Sequence, residues 1–197
     1  MQTEPERTPL QLALASATTA TSGPSRARRL PTIEPTRRLV PTIERSLALV
    51  DRKLLEVLDD LAEGRAAWPL FLYGPAGSGK TCAALAFADT VKTATFATVD
   101  GLSDAVMRHQ ADVIWSRVKA KELAILDELG ARQTVTDLGY TVVKEFADLR
   151  EQYANRAAVY ISNADPKGIH RLYDDRIASR VLSGTVFHLL GQDRRFA

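Results

Sequence analysis

The chain has one cysteine, Cys82, so an internal disulfide framework is excluded and a reducing compartment suits it. No run stays apolar for the ~18 residues that would span a bilayer. Glu4 and Glu6 near the start, with no apolar segment behind them, do not read as a secretory signal. A cytoplasmic protein without membrane contact is the expectation. Charge of one sign is also scarce, since the net charge is only +2, too small by itself to imply nucleic acid.

What is present is 197 residues, 45% hydrophobic and 25% charged, enough for one domain with a core and some extra chain. The extra chain is at the front. Residues 11–25 are small and polar, a composition that buries little. Arg26, Arg28, Arg29, Arg37, Arg38 and Arg45 then face only Glu34 and Glu44, and Pro-Thr-Ile-Glu occurs at 31–34 and again at 41–44. Residues 1–45 read as a flexible basic tail, or as a docking arm for a partner protein or nucleic acid. Residues 46–197 read as the folded domain.

Within it, Leu47, Val50, Leu54, Val57, Leu58 and Leu61 recur at helical spacing, with Gly64 as the stop. Elements then alternate. Strands are expected at Pro69–Tyr73, Thr93–Val99, Leu123–Asp127, Ala157–Ser162 and Thr185–Leu190. Helices are expected at Lys80–Val91, Leu102–Lys119, Leu138–Tyr153 and Arg176–Leu182, with Val142, Phe146 and Leu149 sharing one face. Strands alternating with helices predict an α/β fold, a five-stranded parallel sheet covered on both sides.

Gly74-Pro75-Ala76-Gly77-Ser78-Gly79-Lys80-Thr81 fits the phosphate loop G-x-x-x-x-G-K-[ST]. Its glycines let successive N–H groups turn inward toward phosphate oxygens. The helix that it opens adds partial positive charge. Lys80 supplies a full charge for the β- and γ-phosphates, and the Thr81 hydroxyl is placed to ligate Mg²⁺. A chance match in a chain this long is on the order of one per cent. The predicted strand before the loop and helix after it supply the required context. Cys82 follows directly and reads as a small core residue of that helix rather than a redox switch.

A second motif, Leu123-Ala124-Ile125-Leu126-Asp127-Glu128, is an apolar strand ending in two acids. Alternation along a strand sends the two side chains different ways. Asp127 fits a magnesium role beside Thr81, leaving Glu128 to polarise an attacking water. Asn163, at the end of the fourth predicted strand, reads either as turn chemistry or as an orienter of that water. Arg176 and Arg180 share one helical face, as a surface salt-bridge cluster with Asp174 and Asp175 or as phosphate-seeking groups.

This order of motifs resembles the AAA+ ATPases of the DnaC/IstB type, the helicase loaders and transposition helpers. GPAGSGKT at 74–81, LAILDELG at 123–130, YISN at 160–163 and DDRIASRV at 174–181 carry the resemblance, which covers roughly residues 65–195. It implies a three-layer P-loop NTPase base domain. Lys80 and Thr81 take Walker A roles, Asp127 and Glu128 take Walker B, and Asn163 falls at sensor 1. Arg180 falls at the arginine finger that reaches a neighbouring subunit's ATP, with Arg176 as the competing choice. Implied partners are ATP, Mg²⁺, further copies of the chain, a replicative helicase or transposase, and single- or double-stranded DNA. The expected departure is the absence of a C-terminal lid domain. Two competing functions are a small-molecule phosphotransferase, with Arg108, Arg117, Lys119 and Lys121 as lid charges, and a nucleotide-gated adaptor that hardly hydrolyses ATP.

Overall fold

The computed structural model describes residues 50–132, 134–152 and 157–191. The basic segment 1–45, the start of the first predicted helix and the end of the Leu138–Tyr153 helix lie outside the described residues.

Helix α1 (Arg52–Ala62) starts later than the periodicity predicts. The Asp51 carboxylate accepts from the Lys53 and Leu54 N–H groups, capping the first turn. Gly64 follows the last turn with φ +74°, as its role of stop requires. Strand β1 (Leu70–Tyr73) leads into helix α2 (Lys80–Ala88), and strand β2 (Ala94–Thr98) follows.

The single helix expected over Leu102–Lys119 is two helices, α3 (Val99–Met107) and α4 (Ala111–Ala120). His109 takes φ +59°, so the chain turns between them and the ladder restarts. Strand β3 (Leu123–Leu129), helix α5 (Asp137–Glu151) and strand β4 (Ala157–Ser162) come next. Val142, Phe146 and Leu149 are all buried, as their spacing predicts.

Helix α6 (Pro166–Leu172) was not legible as part of the strand–helix alternation. Asp165 caps it, accepting from the Gly168 N–H, and Pro166 opens its first turn, a combination that marks helix starts. Helix α7 (Asp175–Val181) and edge strand β5 (Thr185–His188) complete the order.

The five strands form one parallel sheet in the order β2-β3-β4-β1-β5. One face packs Leu54, Leu58 and Leu61 of α1 and Ala83–Ala88 of α2 against Leu70, Leu72, Ile125 and Ile161. The other packs α3–α7 against Phe71, Ala124, Leu126 and Tyr160. The expected three layers and five parallel strands are present. No helix among the described residues is long and apolar enough to cross a membrane.

Candidate nucleotide site

The connection after β1 goes to α2 on one face, and that after β4 goes to α6 and α7 on the other. β1 and β4 are neighbours, so a crevice opens past their carboxyl ends, where open α/β sheets bind ligands. Tyr73 pairs in register with Ser162, and Ser162 with Leu129. The phosphate loop, Asn163 and the end of β3 therefore emerge side by side.

The loop is shaped by its glycines. Gly74, Gly77 and Gly79 all have positive φ. At Gly74 a Cβ would run into the Leu189 carbonyl oxygen, so no larger residue fits there. Gly79 is the N-cap of α2 and offers no side chain, whereas α1, α3, α5, α6 and α7 are each capped by an Asp or Thr. The first N–H groups of α2 are thus left to an anion. Lys80 is buried, its Nζ donating to the Gly74 carbonyl at 2.8 Å and the Pro75 carbonyl at 2.7 Å. The ammonium is held inside the loop that a phosphate would enter.

The two acids of β3 part company for a visible reason. Leu123 and Ile125 face α2, and Ala124 and Leu126 face the opposite core. Alternation then points Asp127 to the α2 side, where the Thr81 hydroxyl donates to its Oδ2 at 2.6 Å. Leu129 returns to the face of Leu126, three residues on rather than two. The extra residue is a bulge, marked by a register shift against β4 and by φ +63° at Glu128. Glu128 is exposed and lines a groove with Val99, Asp100, Arg132, Thr136 and Tyr173.

Both acids are held above the ordinary carboxylate range. For Asp127 burial raises the value, opposed by the Thr81 hydroxyl, the Glu128 N–H and the Lys80 charge. For Glu128, exposed yet set into the groove, partial desolvation there comes first, followed by the charges of Asp127 and Asp100. Asp100 is paired across the groove with Arg132 at 2.9 Å. That pair joins residues 32 apart and carries no sequence signal.

Asn163 is exposed, one residue past β4. Cys82 is half-buried, and the core of α2 begins at Ala83, so the expectation of a core cysteine is corrected: the first turn of α2 stands at the mouth of the crevice.

Arg176 is exposed and forms no ion pair among the described residues. Arg180 pairs with α5, its Nε 2.5 Å from Glu151 Oε2 and its Nη1 3.4 Å from Asp148 Oδ1. Neither arginine pairs with Asp174 or Asp175. Asp174 instead caps α7 and accepts from the Tyr140 hydroxyl at 2.6 Å, and Asp175 meets His170 at 3.2 Å.

Solved structures of this architecture include DnaI, with a TM-score of 0.64 at 19% identity over 82% of this chain and 96% of that one. The DnaC helicase loader matches at 0.59 and 14%, over 77% and 94%. DnaA of Aquifex aeolicus bound to AMPPCP matches at 0.60 and 18%, over 74% and 48%. The chain shares the fold of these DnaI, DnaC and DnaA structures. No protein-family model matches the chain. Shikimate kinase 2 of Escherichia fergusonii is 31% identical over 98 residues, 48% of this chain. The chain spans about half of that curated relative, 54% of its length. Within this fold, the loop and the end of β3 border the crevice past the carboxyl ends of β1 and β4.

Proposed function

We propose that this protein is a Mg²⁺-dependent ATPase that works as a homo-oligomer on a DNA-processing partner, a replicative helicase or a transposase. The observation that carries the reading is the Thr81–Asp127 contact at 2.6 Å beside the uncapped start of α2. It joins a hydroxyl and a carboxylate, the hard oxygen donors that Mg²⁺ prefers alongside substrate phosphates. Bound there, the ion would neutralise charge on the β- and γ-phosphates. Lys80 and the N–H groups of the loop hold the phosphates in place. Glu128, freed by the bulge, takes the proton of a water as its oxygen attacks the γ-phosphorus. The bond to the bridging oxygen then breaks, and ADP leaves with that electron pair. Asn163 orients the water from the neighbouring strand end.

In an assembly, the exposed Arg176 of α7 reaches the ATP of the adjoining subunit and stabilises charge on the transferred phosphoryl group, and Arg180 joins it only by leaving Glu151 and Asp148. In comparable systems such a group is worth about 10³–10⁵ in rate. The overall likeness to DnaI and DnaC supports the loader reading. The basic segment 1–45 serves partner or DNA contact. Deleting it leaves ATP binding intact and weakens DNA or partner engagement, most visibly at low salt. A large fall in thermal stability on deletion would place that segment in the packed domain.

The likeness to shikimate kinase 2 favours a second reading, phosphoryl transfer to a small acceptor. Such an enzyme needs no water-activating acid, so the role proposed for Glu128 favours hydrolysis, although a carboxylate there could also take the proton of an acceptor hydroxyl. The experiment is ATP turnover with no acceptor added, with and without DNA, together with recovery of partners on the tagged full chain. Turnover that rises with protein concentration supports the ATPase. Turnover that appears only with a small hydroxylated acceptor supports the kinase.

A further inference from the structure

Helix α7 is short, seven residues, too short to hold its own direction. Its apolar side, Ile177, Ala178 and Val181, is buried in the core, which fixes its depth. A polar stripe on α5 holds both of its ends. Tyr140, Lys144, Asp148 and Glu151 follow one another at four, four and three residues and so share a helical face. At the front of α7, the Tyr140 hydroxyl donates to Asp174 Oδ2 at 2.6 Å while Asp174 Oδ1 accepts from the Ile177 N–H at 2.9 Å. At its back, Arg180 meets Glu151 and Asp148, and Lys144 steadies Asp148 at 2.7 Å.

The front contact has an unusual form. The two oxygens of one carboxylate are divided between capping α7 and receiving α5. The cap and the attachment are thus one rigid unit. Arg176 lies two residues past that cap, in the first turn, with its side chain exposed. Its position follows from this bond together with the burial of Ile177 and Ala178 beside it. The charge balance agrees: the bond holds the Asp174 carboxyl below its ordinary value and pushes the Tyr140 phenol up, so donor and acceptor keep those roles at neutral pH.

From this geometry we infer that Tyr140 is a positioning residue for hydrolysis between subunits, holding the arginine-bearing helix α7 through the Asp174 cap. The inference rests on the proposed reading that α7 serves a neighbouring subunit's ATP. Among the described residues, Tyr140 makes no hydrogen bond to the phosphate loop or to the acids of β3. Its loss should leave the subunit's own nucleotide site alone and weaken only what that subunit offers its neighbour.

The test uses the full chain. Tyr140→Phe keeps the ring and removes one hydroxyl. It is expected to bind ATP with unchanged affinity and an unchanged KM, while its assembly-stimulated kcat falls roughly tenfold, the scale of a small misplacement of a group that acts on the reacting phosphate. Asp174→Asn, which keeps a capping oxygen, should move in the same direction by less. Mixing Tyr140→Phe with Glu128→Gln should restore activity, because one interface then joins an intact acid to an intact arginine helix. A doubly substituted Arg176→Ala, Arg180→Ala chain mixed with Glu128→Gln is the reference. If the reference recovers and Tyr140→Phe turns over like wild type, the inference is overturned and the trans reading stands. If Tyr140→Phe is slow and mixing does not restore it, its effect is structural and the inference is overturned. If the reference does not recover, the trans reading falls and the inference with it.

Discussion

The Thr81 hydroxyl and the Asp127 carboxylate, 46 residues apart, meet at 2.6 Å at the end of the sheet. Neither position is adjusted by a flexible loop. Thr81 lies in the first turn of α2, and Asp127 is placed by the alternation of β3 against the α2 face. Two rigid elements thus bring together the donors proposed for Mg²⁺. Asp127→Asn should bind ATP but lose the additional thermal stabilisation that Mg²⁺ gives to the ATP complex. A ligand at 100 times its Kd stabilises by about 2.7 kcal/mol, so the loss is measurable in a thermal scan. An Mg²⁺ increment equal to that of wild type would remove Asp127 from the metal site.

Lys80 tests the phosphate site itself. Its ammonium is buried against two loop carbonyls. Truncating one member of such a desolvated charged contact costs roughly 2–5 kcal/mol of binding. Lys80→Ala should therefore weaken ATP severely in a calorimetric titration. Unchanged affinity would place the nucleotide elsewhere.

Arg150 separates architecture from chemistry. It is buried, and its guanidinium donates to the carbonyls of Val118, Lys121, Glu122 and Ala157 at 2.5–3.0 Å. It ties α5 to the end of α4 and to the approaches to β3 and β4. Arg150→Met should lower unfolding stability by about 3 kcal/mol, since several buried carbonyls lose their donor together. ATP affinity at a temperature where the variant is folded should not change. A stability equal to wild type in a denaturant titration would show that water replaces the clamp.

The phosphate loop was legible because its chemistry is contiguous: eight adjacent residues carry the turn, the charge and the hydroxyl. Asp127 and Glu128 were legible as acids at a strand end, and the five strands as apolar runs. The bulge was not, because an apolar run ending in Asp-Glu-Leu looks the same with or without an extra residue. Only the return of Leu129 to the face of Leu126 reveals it. The break at His109 was hidden for a similar reason, with neither glycine nor proline to mark it. Helix α6 did leave a mark, Asp165 followed by Pro166, but its seven residues are too few for a periodic pattern. Arg150, the Asp100–Arg132 pair and the Tyr140–Asp174 bond join residues that only the fold brings together.

Glu128 offers the most direct test of hydrolysis at this crevice. The bulge turns it away from Asp127 and into the groove, where it can take a proton without serving as a metal ligand. Glu128→Gln keeps the size of the side chain and removes its basicity. The measurement is steady-state ATP turnover of wild type and Glu128→Gln at matched, saturating ATP, with affinity determined alongside. The account predicts near-equal affinity and a turnover lower by at least about tenfold, the scale of a lost general base. Equal turnover in the two proteins would contradict it.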